Sequence, residues 1–302
     1  MTRSETFLSR LHGGEIFLAD GATGTMLQAN GLETGRIPET WILEQPQQIR
    51  ALHRAYVDAG CDIILTCSFG GTRYRLAGDG LASQVRQVNQ RAAELAREVA
   101  GDAIFVAGDM GPTGQLLAPF GPLTPAAVAD AYAEQAAGLA EGGADFLLVE
   151  TMSDLSEASA AISGARQATS LSIFCTFSFD THGRTMMGIR PEQVAREISP
   201  LVEGVGANCG RAPSEYQEFL EAMHQAAPDA ILWAKPNAGL PQVRGDKVVY
   251  DASPEDMGRI ALELREAGAR VIGGCCGTGP RHLAAMAAAL KGPVSYTHLT
   301  LP

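Results

Sequence analysis

The sequence predicts an α/β protein that folds as a single (β/α)8 TIM barrel, and three observations support this prediction. Short apolar runs alternate with Ala-rich amphipathic stretches along the 302 residues, and there are eight of each. An open, doubly wound sheet would show the same alternation. The chemically unusual residues favour the closed barrel, because all of them fall at the carboxyl ends of predicted strands, which meet at one mouth. These residues are Asp20, Thr66, Glu150, Cys209, Lys235 and Cys275.

The elements follow in order along the chain, each strand being a short apolar run and each helix an amphipathic stretch. The strands are predicted at residues 16–20, 62–66, 104–109, 145–150, 172–178, 204–209, 230–235 and 270–274. The helices are predicted at residues 47–59, 82–100, 125–141, 155–169, 192–202, 214–226, 254–267 and 280–290. A cap residue followed by proline opens several helices, as at Thr124 and Pro125. Several helices end at a glycine just before the next strand, as at Gly60 and Gly143.

Composition and charge exclude several classes of protein. The 23 Lys and Arg residues against 34 Asp and Glu residues leave a net charge of −11, which argues against a nucleic-acid partner. A hydrophobic content of 46% excludes disorder. The sequence has neither a signal peptide nor an apolar run long enough to span a membrane, so we expect a cytoplasmic protein. Its six cysteines are then expected to be reduced and free to bind a metal.

The domain prediction is one barrel over residues 1–294. Residues 295–302, with the sequence SYTHLTLP, follow the last predicted helix and have no strand to join. We therefore interpret them as a non-native tail and leave them out of the fold prediction.

Three cysteines at two strand ends predict a metal site. Cys275 and Cys276 are adjacent in a Gly-rich turn after the eighth strand, and Cys209 ends the sixth strand beside another glycine. Adjacent thiols can also form a vicinal disulfide or pack as small apolar groups. Three thiolates with one open position are nevertheless typical of zinc. The other cysteines are predicted to be packed apolar residues: Cys61, Cys67 and Cys175. The histidines of the helical segments and the amino-terminal lead are predicted to be surface or cap residues: His12, His53, His224 and His282.

Four separated motifs resemble the homocysteine S-methyltransferases. They are DGATGTM at residues 20–26, GANCG at 206–210, KPNAGLP at 235–241 and GGCCGT at 273–278. This family includes betaine–homocysteine methyltransferase and the homocysteine-binding module of cobalamin-dependent methionine synthase. The resemblance runs from about residue 14 to 290 and implies the zinc-bearing barrel of the family.

The resemblance also implies a ligand set for zinc. Cys209, Cys275 and Cys276 match the three zinc thiolates of the family, and they are the predicted catalytic residues. Asn237 matches an asparagine whose side-chain oxygen can hold the fourth position until substrate displaces it. Zinc makes a bound thiol a thiolate, and the surplus charge of three cysteine ligands keeps the sulfur of homocysteine nucleophilic. The reaction would be an in-line displacement at the methyl group of a donor.

The resemblance places homocysteine against the first and fourth strands. Asp20 and Glu150 match carboxylates near the ammonium group of the substrate. Gly21 and Thr23 belong to the turn that would lie against homocysteine. Each residue also has a simpler interpretation, as a turn residue or as an acid at a strand end.

The expected methyl donor is a betaine-like methylammonium compound, and methionine would be the product. The segments at 68–71, 107–114 and 178–187 look most like those of bacterial betaine–homocysteine methyltransferases. An onium donor favours an aromatic wall, for which Trp41 and Phe69 are the candidate donor-binding residues. Trp41 has an equally ordinary interpretation as a packed loop tryptophan.

Two alternative functions remain from the sequence. The first is a homocysteine-activating subunit that takes its methyl group from S-methylmethionine, from another sulfonium, or from methylcobalamin on a partner protein. A partner would be needed for cobalamin, because no room is left after residue 290 for a cobalamin-binding module. The second is a Schiff-base lyase that uses Lys235 at the end of the seventh strand. We expect small-molecule substrates and no membrane partner in each case, and a homo-oligomer is compatible with the sequence.

Overall fold

Eight parallel strands form the barrel that the sequence predicts. This computed structural model describes residues 1–210, 212–244 and 247–292. Its strands are β1 (Phe17–Leu18), β2 (Ile63–Leu65), β3 (Phe105–Met110), β4 (Phe146–Met152), β5 (Ile173–Phe177), β6 (Gly204–Cys209), β7 (Ile231–Pro236), β8 (Pro241–Arg244), β9 (Lys247–Tyr250) and β10 (Ala269–Ile272). Those of the barrel are hydrogen-bonded in the order β1-β10-β7-β6-β5-β4-β3-β2. A parallel bridge between Ala19 and Ile63 joins the two ends of this order, so the sheet is closed.

The α-helices of the described residues are α1 (Arg3–His12), α2 (Gly24–Ala29), α3 (Thr40–Glu44), α4 (Pro46–Asp58), α5 (Arg73–Leu76), α6 (Val85–Ala100), α7 (Pro125–Glu141), α8 (Leu155–Ala168), α9 (Pro191–Ile198), α10 (Tyr216–Ala226), α11 (Pro254–Glu266) and α12 (Pro280–Lys291). The eight predicted helices correspond to α4 and to α6 through α12. The predicted cap is confirmed at α7, where the Thr124 side chain accepts a hydrogen bond from the Ala127 amide. The predicted helix 192–202 ends early at Ile198 and continues as a 3-10 turn, because Pro200 has no amide hydrogen to donate.

Several elements were not predicted, and they lie at the two ends of the barrel. The antiparallel hairpin β8–β9 follows β7 on the side where the strands end. The short helices α2, α3 and α5 also lie in connections that follow strands.

The end of the predicted domain at residue 294 and the predicted tail 295–302 lie outside the described residues. Among the helices that are described, none combines the length and apolar character required to cross a bilayer.

Helix α1 closes the amino-terminal end of the barrel. Its Phe7 stacks on Phe146 with ring centroids 4.3 Å apart, and it also contacts Phe17 and Phe174. Trp233 of β7 packs against the same aromatic cluster. Because apolar side chains fill this end, polar side chains can line the barrel interior only towards the other end, where the strands terminate.

His53 lies in the core, so the prediction that it is a surface or cap residue is wrong. It belongs to the buried face of α4, together with Ile49, Leu52 and Tyr56 at helical spacing. Its side chain is 1% exposed, and neither ring nitrogen has a hydrogen-bond partner among the described residues. Burial lowers the pKa of His53 to about 4. By contrast, His282 does act at a helix start, where its Nδ1 accepts from the Gly279 amide.

His53→Leu is expected to reduce the loss of stability in acid. The folded-state pKa of His53 is depressed, so its contribution to stability is present above the unfolded pKa and is lost as the pH falls through about 4. This displacement of the pKa corresponds to about 3 kcal/mol of unfolding free energy between neutral pH and pH values below 4. Urea unfolding at several pH values in this range measures it. Gln47→Leu, an apolar substitution at an exposed position of the same helix, is the control. Equal acid losses in wild type and His53→Leu would contradict the prediction.

Candidate metal centre and substrate cavity

The three cysteines predicted to bind a metal meet at the carboxyl end of the barrel. The Sγ atoms of Cys209, Cys275 and Cys276 all lie within 4.8 Å of one another. The Sγ atoms of Cys209 and Cys276 are 4.0 Å apart, and all three thiols are free. Residues 67 positions apart in sequence are thus brought together by the fold, as a barrel mouth requires. Three sulfurs at this spacing are able to hold a metal ion.

The backbone beside Cys209 is held in an unusual conformation. Cys209 has φ of 59° and Gly210 has φ of 73°, so a residue with a side chain occupies the left-handed region at the end of β6. The Tyr216 hydroxyl donates to the Cys209 carbonyl oxygen at 2.8 Å. On the other side of the site, the Cys275 amide donates to the carbonyl oxygen of Pro236 at 2.8 Å. The first hydrogen bond ties Cys209 to α10, and the second ties Cys275 to β7. A left-handed backbone at a residue with a side chain is typical of a functional site.

The three thiols shift one another's pKa values. Hydrogen bonds from the thiols of Cys209 and Cys275 lower the pKa of Cys276. The same hydrogen bonding, together with burial, raises the pKa of Cys209. A metal ion that binds the three sulfurs would displace their protons.

Asn237 is tied to both cysteine turns and keeps one oxygen free. Its Nδ2 group donates to the carbonyl oxygen of Gly210 at 2.9 Å. The amide of the next residue, Ala238, donates to the carbonyl oxygen of Cys276 at 2.9 Å. The Oδ1 atom of Asn237 is buried and has no hydrogen-bond partner in the described part of the chain. An unpaired amide oxygen on a residue hydrogen-bonded to the turn after Cys209 is suited to a metal or to a ligand.

Asn208 is a buried residue of the site that the sequence analysis did not single out. Its Oδ1 accepts from the Thr151 amide at 2.8 Å and from the Thr176 hydroxyl at 2.7 Å, and its Nδ2 donates to the Thr151 hydroxyl at 2.7 Å. Its Nδ2 also approaches Cys275 Sγ at 3.9 Å. Thr151 has φ of 62° and directly follows Glu150, so Asn208 fixes the backbone that carries this carboxylate. Its position before Cys209 in the GANCG motif was the available signal.

Asp20, Glu150 and Lys235 form a buried charged group that brings together residues of β4, β7 and the segment after β1. The Lys235 Nζ lies 3.5 Å from Glu150 Oε2 and 3.8 Å from Asp20 Oδ1. Burial raises the pKa of Asp20 to about 7, although Lys235 and the Leu65 amide act in the opposite direction. Burial also raises the pKa of Glu150. Burial favours the neutral amine of Lys235, but the surrounding carboxylates outweigh it and raise its pKa.

Two further buried carboxyl groups, Glu39 and Asp109, were also missed. They are 1% and 4% exposed, respectively. Glu39 Oε1 accepts a hydrogen bond from the Gly70 amide, whereas Glu39 Oε2 and Asp109 Oδ1 have no partner among the described residues. Burial raises the pKa of both groups. The sequence shows only that Asp109 ends a predicted strand, and nothing marks Glu39.

One cavity of about 390 Å³ connects these groups. Several of the predicted and the newly identified residues line it: Gly21, Thr23, Glu39, Phe69, Asp109, Glu150, Cys209, Lys235, Cys275 and Cys276. Asp20 lies behind this surface, where its carboxylate pairs with Lys235. Cys67, which was predicted to be a packed apolar residue, is buried and also borders the cavity.

The two aromatic residues predicted to contact the donor lie in different environments. Phe69 is half-buried and lines the cavity. Trp41 lies in α3, where it is buried in the apolar core between the barrel and its helices. A donor contact by Trp41 stays a prediction, and it would require the tryptophan to leave this packing.

The barrel and its mouth define the class: a (β/α)8 protein with a three-cysteine site at the carboxyl ends of its strands. The sequence model of the family described as homocysteine S-methyltransferase matches residues 17–290. The chain therefore belongs to the homocysteine S-methyltransferase family, which confirms the resemblance found in the sequence.

Individual relatives agree with this family. The chain is 33% identical over 300 residues to the methionine synthases of Mycobacterium tuberculosis and Mycobacterium leprae, a match that covers 91% of this chain and 24% of each relative. It thus spans about a quarter of the length of these relatives. Its fold is similar to that of the metallated form of the homocysteine methyltransferase MmuM from Escherichia coli. That match has a TM-score of 0.77 and 25% identity, and covers 93% of this chain and 99% of the other.

Proposed function

We propose that this protein transfers a methyl group from a betaine-like methylammonium donor to the sulfur of L-homocysteine, giving methionine, with zinc at the cysteine site. The single observation that carries the proposal is the group of three Sγ atoms within 4.8 Å of one another, beside a cavity rich in carboxyl groups. Membership of the family supports homocysteine as the methyl acceptor. The reduced thiols that this chemistry needs support a cytoplasmic location as part of the proposal.

The donor set fits zinc. With Zn–S bonds of about 2.3 Å, tetrahedral geometry places the sulfurs about 3.8 Å apart. The distance of 4.0 Å between the Cys209 and Cys276 sulfurs is close to this value. Asn237 Oδ1 is a buried oxygen without a partner in the described ranges, so it is suited to the fourth position and can be exchanged for substrate. When bound there, zinc would hold the thiol of homocysteine in its nucleophilic thiolate form.

The residues of the cavity then bind and orient the substrates. Glu150 lines the cavity, and Asp20 lies behind it, so these two carboxylates would attract the ammonium group of homocysteine. Gly21 and Thr23 line the neighbouring wall. In the transfer, a C–S bond forms as the C–N bond of the donor breaks, and the electron pair of that bond stays on nitrogen. An anion and a cation thus become two neutral groups, so this step needs no protein base, only alignment of the three reacting atoms.

A second candidate function is favoured by the methionine synthase relatives. The chain matches 24% of their length, so it would correspond to one module that accepts methyl groups from a cobalamin-carrying partner protein. A sulfonium such as S-methylmethionine is a further alternative donor. The Schiff-base lyase has less support, because a neutral amine is the nucleophile in that chemistry and two carboxylates hold Lys235 as a cation.

A donor screen separates these functions. The purified protein, zinc and homocysteine would be mixed with betaine, S-methylmethionine or methylcobalamin, one at a time, and methionine would be measured. We expect methionine from betaine without any partner protein, and none after the metal has been removed by a chelator. Turnover only with a cobalamin protein would favour the second candidate, and activity of metal-free protein would contradict the zinc proposal.

A further inference from the structure

The cavity contains two carboxyl groups that the proposed homocysteine site does not use. Glu39 and Asp109 line the same cavity as the three cysteines, and each has one oxygen without a partner among the described residues. The buried cation of the cavity, Lys235, forms its ion pairs with Asp20 and Glu150 and not with Glu39 or Asp109. A buried carboxylate without a partner is costly, so these two groups are suited to a cationic ligand.

Both carboxyl groups are held in place by the loops around them. A Cβ atom at Gly70 would lie 3.1 Å from Glu39 Oε1, so the glycine allows the close approach in which its amide donates to that oxygen. The backbone of Asp109 is fixed from two sides, because its amide donates to the Thr66 hydroxyl at 2.9 Å and its carbonyl oxygen accepts from the Ser68 hydroxyl at 2.7 Å. The Glu39 carboxyl group and the backbone that carries the Asp109 side chain are therefore preorganised before any ligand binds.

Phe69 adds an aromatic surface to this part of the cavity. A Cβ atom at Gly111 would lie 2.5 Å from the Phe69 ring, so the ring packs directly on the backbone of Gly111 and is fixed there. An aromatic face next to carboxylates attracts a methylated onium group, which cannot donate strong hydrogen bonds and binds through charge and cation–π contact.

An exposed cation, Arg75, lies at the same cavity. Within the described ranges its guanidinium makes no hydrogen bond and no ion pair at contact distance, although its positive charge acts against the burial that raises the pKa of Glu39. The neighbouring Arg36 differs, because it is engaged by Glu44 at 2.8 Å and by Asp79 at 3.6 Å. Arg75 is exposed and is therefore placed to receive an anionic group at the outer end of a ligand.

We propose that Glu39, Asp109, Phe69 and Arg75 form the methyl-donor subsite, which takes a zwitterion with an onium head and a carboxylate tail. This inference rests on the proposed methyl transfer and adds the residues that select the donor. The onium head lies against Glu39, Asp109 and Phe69, and the carboxylate tail lies at Arg75. Transfer removes the positive charge from the head, so the product loses its attraction to both carboxylates and leaves. The subsite therefore acts mainly on donor binding.

The test uses the zinc-loaded full chain and two probes that differ in one charge. Calorimetry compares betaine with 3,3-dimethylbutanoate, in which carbon replaces the quaternary nitrogen. We expect wild type to favour betaine by about tenfold or more, and Glu39→Gln and Asp109→Asn each to lose most of this preference. In turnover, both variants should raise the KM for betaine by about tenfold with little change in kcat or in the KM for homocysteine. Glu33→Gln, at an exposed acid of the same loop, is the matched control.

Further experiments test the contact between Arg75 and the carboxylate tail of the donor, and whether the onium head is an ammonium or a sulfonium. Arg75→Gln should weaken betaine but not tetramethylammonium, which has no carboxylate. Dimethylsulfonioacetate in place of betaine shows whether the head is a sulfonium or an ammonium. If Glu39→Gln and Asp109→Asn turn over betaine at the wild-type rate and with the wild-type KM, the proposed subsite is wrong and the proposed function stays intact. Charge-selective binding of betaine without turnover would instead support the subsite and overturn betaine as the donor.

Discussion

Cys276→Ala is expected to lose the bound metal and to lower methyl transfer on the order of a thousandfold or more. The substitution removes one of three sulfurs that lie within 4.8 Å of one another, and the remaining two cannot close the site. Without the metal, homocysteine would react as a thiol whose ordinary pKa is near 8.5, so little thiolate would be present at neutral pH. Metal analysis should find about one zinc per wild-type chain and almost none in the variant, with methionine formation measured on the same samples.

The matched control is Cys175→Ala. Cys175 is buried in the middle of β5 and does not belong to the sulfur group, so this variant should keep its metal and its activity. Its thermal unfolding also shows what the loss of one buried thiol costs in stability. A Cys276→Ala protein that still binds one zinc per chain, or that transfers methyl groups without metal, would contradict the assignment of the site.

The cysteine site is predictable from sequence because its members lie at strand ends. Cys209 ends β6, whereas Cys275 and Cys276 follow β10, and β7 is the strand between those two in the barrel. A closed parallel barrel brings all strand ends to one mouth, whatever the separation along the chain. The alternation of segments and the glycines beside the cysteines therefore contained enough information for both the barrel and the sulfur group.

Other features depend on burial and on missing partners, which a sequence pattern does not show. Glu39 lies in a polar loop, and only the structure shows that its carboxyl group is buried against Gly70, with one oxygen that has no partner among the described residues. His53 is polar within a helical pattern, yet it belongs to the buried face of α4. The left-handed backbone of Thr151 depends on its hydrogen bonds with Asn208, a residue of another strand, whose Oδ1 accepts from the Thr151 amide. Each of these features is a tertiary contact and has no local signature.

Lys235→Met is expected to lower the free energy of unfolding by about 3–5 kcal/mol at pH 8, because it leaves two buried carboxylates without their cation. Methionine fills a similar volume, so the loss reports charge more than packing. The effect should shrink at pH 5. Burial raises the pKa of Asp20 to about 7, so its contribution to stability is present at low pH and is lost as the pH rises through that value. Removing Lys235 raises this pKa further, so the protonated carboxyl at pH 5 needs no partner. Urea unfolding at pH 5 and pH 8 measures both values.

The variant that combines Lys235→Met with Asp20→Asn and Glu150→Gln is the control, because removing all three charges leaves none of these three groups as an unpaired buried ion. It should recover most of the stability at pH 8. A loss that is equal at pH 5 and pH 8, or that the combined variant does not recover, would show that Lys235 acts by packing.

The single variant Lys235→Met also tests the position of the substrate. Homocysteine should restore part of the stability of this variant at pH 8, because its ammonium group would supply a cation to Asp20 and Glu150. Stabilisation by homocysteine that is no greater in this variant than in wild type would place the substrate ammonium elsewhere in the cavity.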